Sequence, residues 1–303
     1  MMDVIRPNLD NLRIFLAVAE EGSFNRAAKR LGRAISVVSY GVANLESQLD
    51  LKLFDREGSR RPVLTLAGKA LLAEARAVAD DVDALVSKVR SLHSGLEAEL
   101  GLAVDVMVPS HTLALVLREF QQLFPTVTLR LHVEALGAVA ALVLDGQAGL
   151  GVAGPVISAH PELERQVLGN VELTPVAAPS HPLAQGRPAP GESRKHLQLV
   201  LTDRSPLTQG QDFSVVGTRS WRLADLGAKH ALLREGIGWG NMPRQAIAED
   251  LAQGTLVELD LPERPGLDFE LGAIWRKDCP PGPACRWMID ALAERLGPER
   301  LAV

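Results

Sequence analysis

The sequence contains few cysteines and no long hydrophobic run. Only two cysteines, Cys279 and Cys285, occur in 303 residues, too few for the disulfide framework of a small secreted domain. No apolar run approaches the roughly 20 residues that a membrane-spanning helix requires. The first residues include Asp3 and Asp10 and no hydrophobic stretch, so we expect no signal peptide and a cytoplasmic protein.

Sequence signatures of catalytic and metal sites are also missing. There is no nucleophile elbow, no phosphate-binding glycine loop and no zinc-ligand spacing, and the seven histidines are scattered along the chain. The glycines in 236–240 do not match a dinucleotide fingerprint, because a helix is predicted before them and a strand after them, the reverse of that motif. We therefore expect no enzyme, no cofactor and no metal site.

The net charge of −5 hides a difference between the two parts of the chain. Residues 1–65 contain ten Lys or Arg and eight Asp or Glu, a net charge of +2, whereas the remainder has a net charge of −7. This difference favours the N-terminal segment for contact with phosphates, but only weakly.

Three amphipathic helices are predicted at the N-terminus. Asn8 and Gly22 are the expected boundaries of the first and Ser23 and Gly32 those of the second, because Asn and Ser cap helix N-termini and glycine ends helices. A third helix is predicted over 36–49. Its apolar side consists of Val38, Val42, Leu45 and Leu49. Two short helices joined by a tight turn and followed by a third resemble a helix-turn-helix.

The opposite side of the third helix carries small polar residues and one tyrosine, which can meet base edges in a major groove. An ordinary solvated helix face is the alternative. Two short strands, 51–56 and 60–64, are predicted to form a wing whose arginines lie near phosphates or are simply solvated. The residues predicted to contact DNA are Ser23, Arg33, Ser36, Ser39, Tyr40, Asn44, Arg56, Arg60 and Arg61.

A long helix is predicted from Thr65 to about Leu92. Its apolar residues recur at alternating steps of four and three, the spacing of a coiled coil. Such a stripe packs either on the protein's own C-terminal domain or on a second chain, and we favour a second chain. The residues predicted to form this dimer seam are Leu71, Ala75, Val78, Val82, Leu85 and Val89.

Strand-like and helix-like segments alternate after residue 95, which predicts a doubly wound α/β domain. The predicted strands include 102–108, 127–133, 150–153, 173–178, 197–202, 215–219, 237–240 and 269–276. Ligands of such domains bind beyond the carboxyl ends of the strands. The residues predicted to bind an effector are Ser110, His111, Thr112, Thr202, Trp221 and Asn241. The alternatives are that Ser110 only caps its helix and that Trp221 belongs to the core.

Many of these motifs resemble the LysR-type regulators. The N-terminal ones are Phe15-Leu16-Ala17-Val18-Ala19, Ser23-Phe24, Ala27-Ala28-Lys29-Arg30-Leu31, Val38-Ser39, Leu45-Glu46, Leu49, Leu53-Phe54-Asp55-Arg56 and Leu64-Thr65-Leu66-Ala67-Gly68. Looser C-terminal matches include Ser180-His181-Pro182-Leu183-Ala184 and Gly236-Ile237-Gly238. The sequence departs from the family at Ile35, usually polar, at Tyr40, often Arg, and at Gly149, commonly Asp.

The resemblance implies an α+β multidomain protein. It would have a winged helix-turn-helix at 1–65, a linker and dimerisation helix at 66–94, and a two-lobed, periplasmic-binding-protein-like α/β effector domain at 95–303. The chain would cross between lobes near Leu168 and return near Asp268. Lobe I would then consist of 95–168 and 269–303, and lobe II of 169–268.

The implied function is a sequence-specific transcription regulator controlled by a small-molecule effector bound between the lobes. Its partners would be double-stranded DNA with an interrupted palindromic operator and further copies of itself, as a homodimer or, as the family favours, a homotetramer. Two other functions remain open. The two-lobed domain alone would suit a solute-binding protein or an enzyme, and Cys279 and Cys285 would suit a thiol-based redox regulator.

Overall fold

A computed structural model of the chain describes residues 7–55, 62–93, 95–155, 160–203, 205–208, 213–262 and 266–297. The chain divides into two units, Met1–Arg90 and Ser91–Val303. Within the described ranges, no helix is both long and apolar enough to cross a membrane.

The first unit begins with three helices, α1 (Leu9–Glu21), α2 (Phe24–Leu31) and α3 (Ile35–Leu49). The predicted helix boundaries are confirmed. The side chain of Asn8 accepts a hydrogen bond from the Asp10 N–H at 2.8 Å, and Ser23 caps α2 in the same way at 3.4 Å. Gly22 and Gly32 end α1 and α2 with φ of 58° and 64°, in the left-handed region that glycine adopts readily.

The core of the first unit forms where α3 packs on α1 and α2. Val38, Val42 and Leu45 are fully buried, as predicted, whereas Leu49 is only partly buried. Gly41 allows the helices to approach, since a Cβ there would lie 2.5 Å from Cδ1 of Ile14. The inner side of α3 is therefore fixed by packing.

The wing consists of β1 (Phe54–Asp55) and β2 (Val63–Leu64), paired antiparallel with Phe54 opposite Leu64. Among the described residues, 51–53 and Pro62 were predicted to lie in these strands but lie outside them. The buried carboxylate of Glu46 accepts hydrogen bonds from the N–H groups of Leu53 and Phe54, at 2.8 and 3.2 Å. This side chain of α3 therefore holds the base of the wing.

The long helix α4 spans Leu66–His93, close to the predicted bounds. Thr65 Oγ1 accepts a hydrogen bond from the Gly68 N–H at 3.0 Å and donates one to the Lys52 carbonyl oxygen at 2.6 Å. A Cβ at Gly68 would lie 2.2 Å from the Leu53 carbonyl oxygen. The first turn of α4 thus packs against residues 52–53, the segment that leads into the wing.

The described residues of the second unit form a seven-stranded mixed sheet. In its parallel part, β3 (Glu99–Asp105) lies between β4 (Thr128–Glu134) and β5 (Leu150–Ala153). The helices α5 (Ser110–Leu123) and α6 (Gly137–Leu144) connect these strands. These elements confirm the predicted alternation of strands and helices.

Two long antiparallel strands, β6 (Leu163–Ala177) and β11 (Leu267–Arg276), pair with each other along most of their length. β11 also pairs with β5 of the parallel part, and β6 continues to the other end of the sheet. Their register shifts between Leu271 and Gly272, where Leu168 has no partner across the pair. The predicted crossing points, Leu168 and Asp268, both lie in this strand pair. Only the last third of β6, residues 173–177, was predicted as a strand.

Most of the remaining elements pack around the second half of β6. They are β7 (Gln198–Leu201), β8 (Ser220–Leu223), α7 (Leu226–Arg234), β9 (Gly240–Pro243), α8 (Ala248–Gln253) and β10 (Val257–Glu258). The last helix, α9 (Pro283–Leu296), packs on α5 through Trp287. β7 and β8 are parallel, and β9 and β10 each pair antiparallel with β6. We call β3–β5, α5, α6 and α9 the first lobe and β7–β10, α7 and α8 the second lobe.

Three predicted strands are displaced. The strand predicted at 102–108 lies at Glu99–Asp105. The strand predicted at 215–219 is wrong, since pairing with β7 begins only at Ser220. The N–H groups of Val216 and Gly217 instead donate hydrogen bonds to the side-chain oxygen of Gln198, both at 2.9 Å. The strand predicted at 237–240 begins instead at Gly240. Positive φ values at Gly236 and Gly238 turn the chain, and the first pairing is an isolated parallel bridge between Trp239 and Gln198.

Candidate functional site

The outer side of α3 is the first candidate site. Ser36, Ala43 and Ser47 are exposed there, and Tyr40 is 72% exposed. Ser39 and Asn44 are half-buried at the edges of this surface. The polar row predicted from the spacing therefore faces away from the core, available to a groove of duplex DNA.

The predicted phosphate contacts differ in their surroundings. Arg33 donates hydrogen bonds of 2.5 and 2.9 Å to the two carboxylate oxygens of Asp10, and this pairing lowers the pKa of Asp10. Ser23 already serves as the cap of α2. Arg56, Arg60 and Arg61 lie outside the described residues. A DNA contact by Arg33 would therefore require it to share or exchange its partner.

The residues of the dimer seam predicted along α4 fall into a covered group and an uncovered group. Ala75 is buried in the core of the first unit and Leu71 packs against that core, so both contact their own chain. Val82 is half-buried, while Val78, Leu85 and Val89 are exposed, Leu85 by 62%. The apolar surface left uncovered in this chain lies on the C-terminal half of the predicted seam.

The predicted effector residues do not assemble into one site. Asn241 lines a cavity of about 250 Å³, Thr202 one of about 640 Å³ and Ser110 one of about 330 Å³. His111, Thr112 and Trp221 line none of these three. Trp221 is 51% exposed, so it is not a core residue either. Ser110 does not cap α5, since Pro109 occupies the N-cap position.

The cavity at Asn241, which we call the Lys229 cavity, lies between residues of both lobes. Its walls are apolar, and they include Met107, Leu136, Leu173, Leu201, Phe213 and Phe269. Lys229 of α7 also lines it and is only 3% exposed. Its Nζ donates a hydrogen bond of 2.6 Å to the Asn241 carbonyl oxygen, and burial lowers the pKa of Lys229 to about 8.

The carboxylate of Asp105 shapes the first-lobe wall of this cavity. It is 1% exposed at the end of β3 and accepts hydrogen bonds from the N–H groups of Met107 and Leu136, at 2.9 and 3.1 Å. Burial raises the pKa of Asp105 to about 7. Leu136 has a φ of 48°, an unusual value for leucine. Asp105 therefore holds both wall residues in place.

The largest of the three cavities is acidic. Glu134, Asp145, Asp203 and Asp225 line it together with Thr202. Oδ1 of Asp203 accepts a hydrogen bond from Thr208, whereas its buried Oδ2 has no partner among the described residues. Its charge is thus opposite to that of the Lys229 cavity.

The two cysteines differ sharply in accessibility. Cys279 is exposed, whereas Cys285 is buried at the start of α9. Burial, and after it the nearby Glu97 carboxylate, raises the pKa of Cys285 to about 12. A thiol with so high a pKa is a poor nucleophile at neutral pH, which argues against a redox pair.

Family models match both units. Residues 9–69 match a model described as bacterial regulatory helix-turn-helix protein, lysR family, and residues 93–297 match the LysR substrate binding domain. The chain belongs to the LysR family. It is a transcription regulator with an N-terminal helix-turn-helix and a C-terminal effector-binding domain, which confirms the family and the fold class predicted from the sequence motifs.

Similar curated proteins support the assignment of this chain to the LysR family. The Escherichia coli K12 protein named uncharacterized HTH-type transcriptional regulator YeeY is 31% identical over 260 residues, which cover 84% of this chain and 83% of that protein. A probable RuBisCO transcriptional regulator of Trichormus variabilis is 30% identical over 259 residues, which cover 82% of this chain and 77% of that protein.

Solved structures share the LysR-type fold. A Corynebacterium glutamicum OxyR C206 mutant has a TM-score of 0.56 at 20% identity, with 96% of this chain and 94% of that chain covered. CrgA from Neisseria meningitidis, a LysR-type transcriptional regulator, has a TM-score of 0.52 at 22% identity, with 97% and 100% covered. At these identities the similarity concerns the fold alone.

The three departures from the LysR pattern leave the core unchanged. Ile35 is 48% exposed and Tyr40 more so, both on α3, so they alter the surface that would face DNA. A Cβ at Gly149 would come no closer than 3.9 Å to the Gly101 carbonyl oxygen. Packing therefore does not require glycine there, and Gly149 lines none of the three cavities.

Proposed function

We propose that the chain binds an interrupted palindromic operator with two copies of α3, and that a small molecule bound between the two lobes modulates this binding. The orientation of α3 carries the DNA-binding part. Val38, Val42 and Leu45 anchor its inner side while Tyr40 and Ser36 face solvent. A helix held in this way can enter a major groove without repacking.

Two kinds of DNA contact are proposed. Side chains on the outer surface of α3 would read base edges; these are Ser36, Ser39, Tyr40 and Asn44. Residues around it would contact phosphates and set the register; these are Ser23, Arg33, Arg56, Arg60 and Arg61.

Self-association is proposed through the uncovered part of α4, which consists of the exposed Val78, Leu85 and Val89 and the half-buried Val82. Covering this stripe with a second copy removes apolar surface from water and brings two α3 helices to one operator. The proposed boundaries are 1–65 for the DNA-binding domain, 66–94 for the linker helix and 95–303 for the effector domain. A homodimer or homotetramer that acts in the cytoplasm without catalysis is consistent with these features.

The effector site is proposed to lie between the lobes, where cavities meet residues of both. Asn241 and Thr202 retain the proposed role, each in a different cavity, and Ser110 retains it in a third. His111, Thr112 and Trp221 lie outside all three, and a contact by them would require another site. A ligand that touches both lobes can shift the population of their arrangements.

The DNA-binding part is tested with a charge placed on α3. Ser36→Glu puts a carboxylate in the exposed first turn, where the helix dipole tolerates it but phosphates repel it. The matched control is Ser180→Glu, an exposed position in the second unit. Operator fragments are selected from genomic DNA with the parent, and affinities are measured by fluorescence anisotropy.

We expect Ser36→Glu to weaken operator binding at least ~10-fold, as expected for loss of one good base contact or more, while Ser180→Glu binds like the parent. Equal binding by both variants would exclude the outer side of α3 as the DNA contact.

A further inference from the structure

We propose that the Lys229 cavity binds a small organic carboxylate, with the carboxylate at the Lys229 ammonium and an apolar body against the walls. This inference rests on the proposed function, because it names the chemical class of the effector.

The charge of Lys229 is the first argument. The side chain is almost fully buried, and its described hydrogen bond goes to the carbonyl oxygen of Asn241. No carboxylate of a described residue lies within ion-pair distance of the ammonium, and burial is the cause of its lowered pKa. An unpaired buried charge is strongly unfavourable. A carboxylate ligand would supply the missing counter-ion.

The other polar groups of the wall fit the same ligand. Gln198 is already committed, since its Oε1 accepts from Val216 and Gly217 and its Nε2 donates to the Ser214 carbonyl oxygen at 2.8 Å. The Ser214 hydroxyl and the Asn241 amide can donate hydrogen bonds. Among the residues that the structure describes, no acidic one lines this cavity. One ammonium with two neutral donors is a suitable set for one carboxylate.

The size and polarity of the walls restrict the rest of the ligand. An apolar cavity of about 150 Å³ holds one benzene molecule, and the Lys229 cavity measures about 250 Å³. It therefore accommodates one aromatic ring, or an aliphatic chain of similar volume, together with the carboxylate. Its leucine, methionine and phenylalanine walls leave the many hydroxyl groups of a sugar or nucleotide without partners.

The position of the cavity connects binding to regulation. Met107, Leu136 and Phe269 line it from the first lobe and β11, while Leu199 and Lys229 line it from the second lobe. A ligand in this place contacts both lobes at once. Its binding would favour arrangements of the lobes in which all of these contacts are made.

Isothermal titration calorimetry on the full-length protein tests the proposal with four probes. Benzoate and hexanoate carry the expected charge, benzamide is neutral with nearly the shape of benzoate, and benzylamine is cationic. The variants are Lys229→Met, which keeps an unbranched apolar side chain, and Lys195→Met as the matched control, because Lys195 is exposed on the second unit.

For the parent and Lys195→Met, we expect at least one carboxylate to bind and benzamide and benzylamine to bind roughly 10- to 100-fold more weakly, as a charged hydrogen bond predicts. Lys229→Met should lose this preference. The proposal is overturned if neither carboxylate binds the parent, if benzoate and benzamide bind it equally, or if Lys229→Met retains the preference. The comparison within the parent holds whether or not the variant folds.

Operator binding is measured on the same preparations to separate this inference from the proposed function. A parent that binds operator DNA but shows no carboxylate preference overturns only the carboxylate assignment. A parent that shows the preference but binds no operator supports the carboxylate assignment and overturns the DNA-binding function.

Discussion

The buried ammonium of Lys229 donates a hydrogen bond of 2.6 Å to the backbone carbonyl oxygen of Asn241. This bond joins α7 to β9, and Gly240 beside it leaves the space, since a Cβ there would lie 3.0 Å from Cε of Lys229. A carbonyl oxygen compensates a buried charge only in part. The ligand-free protein therefore retains an unfavourable group at the proposed effector site.

Lys229→Met should stabilise the ligand-free second unit. The pKa of Lys229 is about 8 in the folded protein against an ordinary 10.5, so folding disfavours its protonated form. At pH 7 we expect the variant to raise the free energy of unfolding by about 3 kcal/mol at most. Urea unfolding monitored by tryptophan fluorescence measures this, with Lys195→Met expected within about 0.5 kcal/mol of the parent.

The difference in the free energy of unfolding between Lys229→Met and the parent should also depend on pH. Between pH 8 and 10.5 the unfolded chain binds more protons at this site than the folded chain, so the parent gains stability with rising pH. The advantage of Lys229→Met should therefore shrink over this range. If the difference in the free energy of unfolding between the variant and the parent stays constant from pH 7 to 10.5, the pKa of Lys229 is not lowered by burial.

Asp105 should produce a slope of opposite sign at lower pH. Its pKa is raised to about 7 from 3.8, so its contribution to stability is present below pH 3.8 and is lost as the pH rises through 7. Asp105→Asn removes this titration. We expect the free energy of unfolding of the parent, relative to the variant, to fall between pH 4.5 and 7.5. A flat difference in urea titrations would mean that Asp105 does not titrate there.

The apolar first turn of α3 should affect which bases are preferred. Ile35 and Val37 are each about half exposed beside Ser36, and such side chains favour the methyl group of thymine. Ile35→Gln should change the relative affinity at one position of each half-site by roughly 5- to 100-fold. The salt dependence should not change, because no phosphate contact is removed.

Selection from randomised operator sequences, followed by sequencing, measures this change in preference. The matched control is Leu123→Gln, an exposed leucine in the second unit. Identical sequence preferences for the parent and Ile35→Gln would show that Ile35 does not contact bases.

The two halves of the α4 seam should respond differently to a charge. Leu85→Glu alters an exposed apolar residue and is expected to reduce the mass measured by light scattering while leaving the fold intact. Ala75→Glu buries a carboxylate in the core of the first unit and should lower the free energy of unfolding by about 3 kcal/mol or more.

Ala84→Glu serves as the control for both α4 variants, since Ala84 is exposed and lies off the heptad stripe. Unchanged mass for Leu85→Glu, with normal folding, would rule out this stretch of α4 as the contact between copies.

The elements of the first unit were largely predictable because their signals are local. Asn8, Ser23, Gly22 and Gly32 set helix ends through hydrogen bonds and backbone conformation within a few residues. In the second unit the same approach misplaced β8, because the side chain of Gln198 binds the N–H groups that would otherwise have paired. Such a competing partner cannot be read from periodicity.

Local spacing in the amino-acid chain was sufficient to identify the helix-turn-helix and the inner and outer sides of α3, and the resemblance of its residue motifs to the LysR-type regulators identified the family. The Lys229 cavity depended on long-range packing. In the sequence, Lys229 is one lysine on an ordinary helix, and Asp105 is one acid at the end of a strand. Only the folding of α7, β7 and β9 around the ammonium, and of the β3 and β4 ends around the carboxylate, removes water from these charges and gives them a role.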